Sequence, residues 1–137
     1  MKPYSALALL IVLSLTLFVQ CKKQPDDSVY KSSFYKTQNL GKLFLYINGA
    51  NQGELPYFPE MPQCGEQNSE GATPIMRTMP SGEYKIEGRD SLGQLRTCSI
   101  MFIKKGYSSL SSGKCGGAGG ATMFNTDDCL IYGLMEL

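Results

Sequence analysis

From Leu43 onward the chain is a series of short runs rich in β-branched, aromatic and alternating apolar residues, each closed by a turn signal. No run there keeps the 3.6-residue period of a helix. Lys42 to Asn48 sets Leu43, Leu45 and Ile47 against Phe44 and Tyr46, and Asn48-Gly49 supplies a tight turn. A second strand is expected over Glu54 to Phe58. Pro59 to Gly71 reads as a loop, because its prolines cannot donate to a sheet ladder. Pro74 to Met79 is a further strand, ended by Pro80-Ser81-Gly82, and Glu83 to Arg89 alternates Glu83, Lys85 and Glu87 with Tyr84 and Ile86. After the turn Asp90 to Gly93, Gln94 to Lys104 places Cys98, Ile100 and Phe102 on one face and Met101 and Ile103 on the other. Ser108 to Asp128 reads as a long loop, and Cys129 to Leu137 as an almost wholly apolar last strand. A sheet with one apolar face must bury it against another layer. The expected fold is therefore all-β, a small antiparallel β-sandwich of about six or seven strands over residues 42–137.

The N-terminus is of a different kind. The apolar run Ser5 to Val19 is shorter than the roughly 20 residues that cross a bilayer. With Lys2 ahead of it, it has the layout of an export signal. The A-x-A-like cleavage pattern is missing, since the alanine after Ala8 is Ala50. Phe18-Val19-Gln20-Cys21 resembles the lipobox of bacterial lipoproteins, in which the cysteine thiol takes a diacylglyceryl group and becomes the new N-terminus. Residues 1–20 are accordingly expected to be a lipoprotein signal peptide, and 21–41 a lipidated cysteine and tether, with an edge strand as the alternative for Val29, Tyr30, Phe34 and Tyr35. Phe18 and Gln20 depart from the usual leucine and glycine or alanine, in the manner of the relaxed lipoboxes of Bacteroidetes-like and spirochaete-like groups. The resemblance implies palmitate-type acyl chains on Cys21, and two or more such chains hold a protein stably on a membrane. Gln24-Pro25-Asp26-Asp27 is similar to acidic tags that direct some such lipoproteins to the outer-membrane surface; a solvated charge run in a linker is the plainer alternative.

Of five cysteines, Cys21 is assigned to the lipid, which leaves the even set Cys64, Cys98, Cys115 and Cys129. In an exported chain an even set reads as two disulfides, with three pairings open. The pairing taken forward is Cys64 with Cys129 and Cys98 with Cys115. A four-cysteine zinc site is disfavoured, because no two of these cysteines have the close spacing of a zinc knuckle.

Leu43-Phe44-Leu45-Tyr46-Ile47-Asn48-Gly49, then Met79-Pro80-Ser81-Gly82-Glu83-Tyr84-Lys85-Ile86, then a strand after Leu92-Gly93, is similar to PEGA-like and related prealbumin-like sandwich modules of bacterial surface proteins. In those modules a Pro-x-Gly-x-Tyr hairpin follows the first strand and its turn. The likeness covers about Leu43 to Lys105. Such modules carry no catalytic residues, so it implies a structural or binding role and transfers no site.

Composition narrows the chemistry. Histidine is absent, which removes the imidazole that Ser-His-Asp and Cys-His catalysis need. The carboxylates Glu54, Glu60, Glu66, Glu70, Asp127 and Asp128 lie in expected loops with no catalytic spacing and read as solvated charge. Lys114-Cys115 stands where a phosphate-binding loop has Lys-Ser or Lys-Thr, and Gly117-Ala118-Gly119 lacks the glycine a dinucleotide fingerprint needs at Thr122. Gly113 to Gly120 therefore reads as a flexible loop, and Asn125, Asp127 and Asp128 do not fit a calcium loop. Without Lys2 there are 13 − 1 = 12 basic residues against 12 acidic ones, no footprint for nucleic acid. The expected protein is a non-enzymatic module of the bacterial cell envelope, needing no cofactor or metal. Its partners are the membrane, through Cys21, and an envelope protein or glycan. Tyr57, Phe58 and Tyr107 are the candidate recognition surface. The alternative is a disulfide-stapled inhibitor of an extracellular hydrolase, presenting Pro59 to Gly71 or Ser108 to Thr126 to the enzyme cleft.

Overall fold

A computed structural model describes residues 26–112, 115–126 and 129–136. Among the described residues nine strands follow in order: β1 (Val29–Lys36), β2 (Phe44–Ile47), β3 (Ala50–Glu54), β4 (Ile75–Pro80), β5 (Gly82–Arg89), β6 (Leu95–Lys104), β7 (Tyr107–Ser112), β8 (Gly120–Asn125) and β9 (Leu130–Met135). They form two sheets, β4-β1-β9-β8 and β3-β2-β5-β6-β7. The expected all-β sandwich is the fold, and among the described residues there is no helix.

Alternation along the strands sets what each sheet buries. In the five-stranded sheet Leu43, Leu45, Ile86, Met101 and Ile103 point inward; Phe34, Leu130, Tyr132 and Leu134 face them from the four-stranded sheet. Each such side chain contributes roughly 1.5–3 kcal/mol when fully buried. Asn48 and Gly49 adopt φ of 50° and 82°, the positive pair a tight hairpin turn requires, so β2 and β3 pair directly. A register shift between Leu45 and Tyr46 leaves Gln52 outside the ladder. Gln52 then receives the Arg77 guanidinium, with Nε to Oε1 at 2.7 Å and a second donor to its carbonyl at 3.1 Å. Arg77 belongs to β4, so this contact ties the edges of the two sheets together.

Several expectations are corrected. Residues 29–36 are not tether: β1 lies inside its sheet, antiparallel to β4 on one side and parallel to β9 on the other. Phe34 and Tyr35 are both buried because they serve opposite faces, which is why their stretch shows no single period. The expected strand Glu54 to Phe58 is instead the crossing between sheets. Leu55 N–H donates to Leu43 O at 2.7 Å, and Tyr57 makes an isolated bridge beside Lys36. Pro80-Ser81-Gly82 joins strands of different sheets, so it is a crossover and not a hairpin. The two faces expected of β6 hold: Met101 and Ile103 point inward with Thr97 and Ser99, and Phe102 points out on the face of Cys98 and Ile100. Ser108 to Asp128, expected as a loop, contains β8 and all of β7 but its first residue.

Phe34 is fully buried and its ring centroid lies 5.5 Å from that of Tyr132. Phe34→Ala is expected to cost about 3–5 kcal/mol in urea unfolding. A tether residue would shift stability by no more than about 0.5 kcal/mol.

Candidate functional site

The outer face of the four-stranded sheet carries a second apolar cluster of Tyr35, Phe58, Cys129 and Ile131, with Cys64 packed against it. The loop after β3 lies over this face, and Cys64 is bonded to Cys129, Cα atoms 6.1 Å apart. Cys98 is bonded to Cys115, with Cα atoms 5.6 Å apart. These bridges close separations of 65 and 17 residues, and loop-closure entropy values them at about 4 and about 3 kcal/mol. Asn68 shapes the covering loop: its Oδ1 accepts from the N–H groups of Glu70 at 3.0 Å and Ala72 at 2.8 Å, and its Nδ2 donates to Tyr57 O at 3.2 Å. Asn-x-x-Gly at 68–71 is the sequence signal for such a turn.

The glycines before β8 are used for close approach, which corrects the expectation of a flexible loop. Gly119 N–H donates to Arg96 O at 2.8 Å. A Cβ on Gly119 would meet Met135 O at 2.2 Å, and one on Gly117, at φ 83°, would meet Arg96 O at 2.9 Å. Only glycine lets this segment lie against the backbones of β6 and β9. With the neighbouring Cys98–Cys115 bridge, it closes the second edge of the sandwich.

Glu87 and Asp26 are each held by several partners. Glu87 is buried on the outer face of β5, 2.9 Å from Lys85 Nζ and 3.0 Å from an Arg89 guanidinium nitrogen. Arg89 also lies over the Tyr46 ring, 5.5 Å from its centroid. Burial by itself would raise the Glu87 carboxyl, but the hydrogen bonds and charges of Lys85 and Arg89 outweigh it and hold it below the usual range. Asp26 accepts from Ser81 Oγ at 2.7 Å, Lys105 N–H at 2.6 Å and Ser28 N–H at 3.1 Å. Its bonds to Ser28, Ser81 and Lys105 lower its carboxyl strongly. Asp26 thus clamps the start of β1 to the β4–β5 crossover and the β6–β7 turn, a structural use within the acidic run.

The candidate recognition residues do not form one patch. Phe58 is buried edge-on against Tyr35, 5.8 Å away, and belongs to the core. Tyr57 is half-buried beside Lys36. Tyr107 is exposed at the opposite end, where it lines a cleft of about 380 Å³ with Val29, Lys31, Lys104 and Asn125. The loop carboxylates are spread out: Glu54 pairs with Lys42 at 3.6 Å, Glu66 accepts from Gln63 N–H at 2.9 Å, and Glu60 and Glu70 are exposed. Asp127, Asp128 and Cys21 lie outside the described residues. Among the described residues no helix is long and apolar enough to cross a membrane.

Comparison with protein-family models, with curated proteins and with solved structures found no match to this chain.

Because the Glu87 carboxyl is lowered in the folded state, its contribution is present above the ordinary value of 4.5 and fades as the pH falls through the lowered one. Glu87→Gln is expected to cost about 1–2 kcal/mol at neutral pH, since both cations reach solvent and are screened. The gap between variant and wild type should narrow when denaturant melts are repeated from about pH 7 down to about pH 3.

Proposed function

We propose that the protein is a lipid-anchored module of the bacterial cell envelope, with a non-catalytic binding or structural role. The observation that carries this is the use of the cysteines. Cys64, Cys98, Cys115 and Cys129 are all paired, as suits an oxidising compartment, and the fifth, Cys21, follows an export-type apolar run in a lipobox-like setting. The non-catalytic role is supported by the absence of histidine and by carboxylates that are spread out or tied into turns. The partner is an envelope protein or glycan. Intact mass of protein purified from its own membranes tests the anchor: a chain beginning at Cys21 with a diacyl-sized excess, and four thiols that appear only on reduction, are expected. A chain retaining Met1 overturns it.

One observation favours a second role, inhibition of an extracellular hydrolase. Cys64–Cys129 holds the loop that exposes Met61 beside buried Pro62, a rigid presentation suited to an enzyme cleft. The other candidate loop, Ser108 to Thr126, is largely strand and is withdrawn. In this role, replacing Pro59-Glu60-Met61 with Gly-Ser-Gly abolishes inhibition of a secreted hydrolase while the melting temperature is kept. Undiminished inhibition by the variant removes the loop from consideration.

A further inference from the structure

The place where the chain enters the sandwich fixes which end can approach a membrane. Asp26 is clamped to Ser81 and Lys105, and Cys21 precedes it by 26 − 21 = 5 residues. Fully extended, that link reaches at most about 17 Å. Resting on the lipid anchor proposed above, this short reach keeps the Asp26 end of the sandwich close to the bilayer. That end comprises the start of β1, the β4–β5 crossover, the β6–β7 turn and the end of β8.

Exposed apolar side chains gather at the same end. Of the seven large hydrophobic residues exposed among the described residues, four are there: Val29 at 58%, Tyr107 at 57%, Phe124 at 46% and Phe102 at 36%. Phe102 and Tyr107 have ring centroids 6.5 Å apart on the outer face of one sheet, and Phe124 stands on the outer face of the other. Exposed Lys31, Lys104 and Lys105 lie among them, and Lys22 and Lys23 are in the link. Asp26, Asp27 and Glu83 share this end and offset Lys31, Lys104 and Lys105, so the domain's own charge there balances, the link lysines add two positive charges, and the apolar rim dominates the contact. Aromatic side chains beside lysines are the composition that settles at the headgroup level of a bilayer.

We infer that this apolar rim is a membrane-contact surface, seated in the interfacial layer of the bilayer that holds the lipid. The domain then lies against the membrane instead of swinging on a tether. The β5–β6 turn with Leu92 faces away, an eight-residue strand or roughly 25 Å from the surface.

The chain contains no tryptophan, so a single introduced indole reports one position. Tyr107→Trp and Leu92→Trp, both at exposed sites, are placed in the full-length protein purified from membranes. Each is reconstituted into phosphatidylethanolamine–phosphatidylglycerol vesicles with and without dibrominated acyl chains. The indole of Tyr107→Trp is expected to be quenched about threefold more than that of Leu92→Trp, with a blue-shifted emission. Equal quenching, or none at either site, overturns the contact surface. Intact mass on the same samples separates the two failures: acylated protein with an unquenched indole at position 107 overturns only the contact surface, whereas protein without acyl chains overturns the anchor and this inference with it.

Discussion

The parallel pairing of β1 with β9 is the constraint on which the remaining structure depends. Both strands lie inside the four-stranded sheet, and that sheet is covered on both faces. Phe34, Leu130, Tyr132 and Leu134 fill the space between the sheets, while Tyr35, Ile131 and Cys129 lie under the loop after β3. A strand buried on both faces reads as a continuous apolar run, as Cys129 to Met135 does. Tyr132 carries its hydroxyl into the interior. Burial raises its ionisation above the tyrosine range.

Double burial accounts for the Cys64–Cys129 disulfide. A loop folded back over a sheet has little core of its own, and Cys64–Cys129 fixes it to the strand it shields. At the other edge the glycine segment approaches two backbones too closely for any side chain, and Cys98–Cys115 holds it there.

The polar contacts do complementary work at the rims. Arg77 with Gln52 joins two sheet edges, and Asp26 gathers three separate segments. The Lys36 ammonium, largely buried, donates to Gly41 O at the start of the β1–β2 return. Glu87 with Lys85 and Arg89 places a satisfied ionic cluster on an outward sheet face. These contacts fix the fold at its rims.

The sequence by itself determined the layering, because alternation of two and frequent turn signals admit little besides packed sheets. Asn48-Gly49 and the runs that became β2, β4, β5, β6 and β9 were legible for that local reason. The even set of cysteines after Cys21 likewise pointed to two bridges, though spacing could not choose the partners. Tertiary structure alone decided the rest. It placed β1 inside a sheet, since serine and aromatic residues facing two different cores show no period. It drew β7 and β8 from a serine- and glycine-rich stretch, where pairing with β6 and β9 supplied what propensity lacked. It moved Phe58 into a core and left Tyr107 on a rim, because burial depends on which distant segment arrives to cover a residue, and no local pattern encodes that arrival.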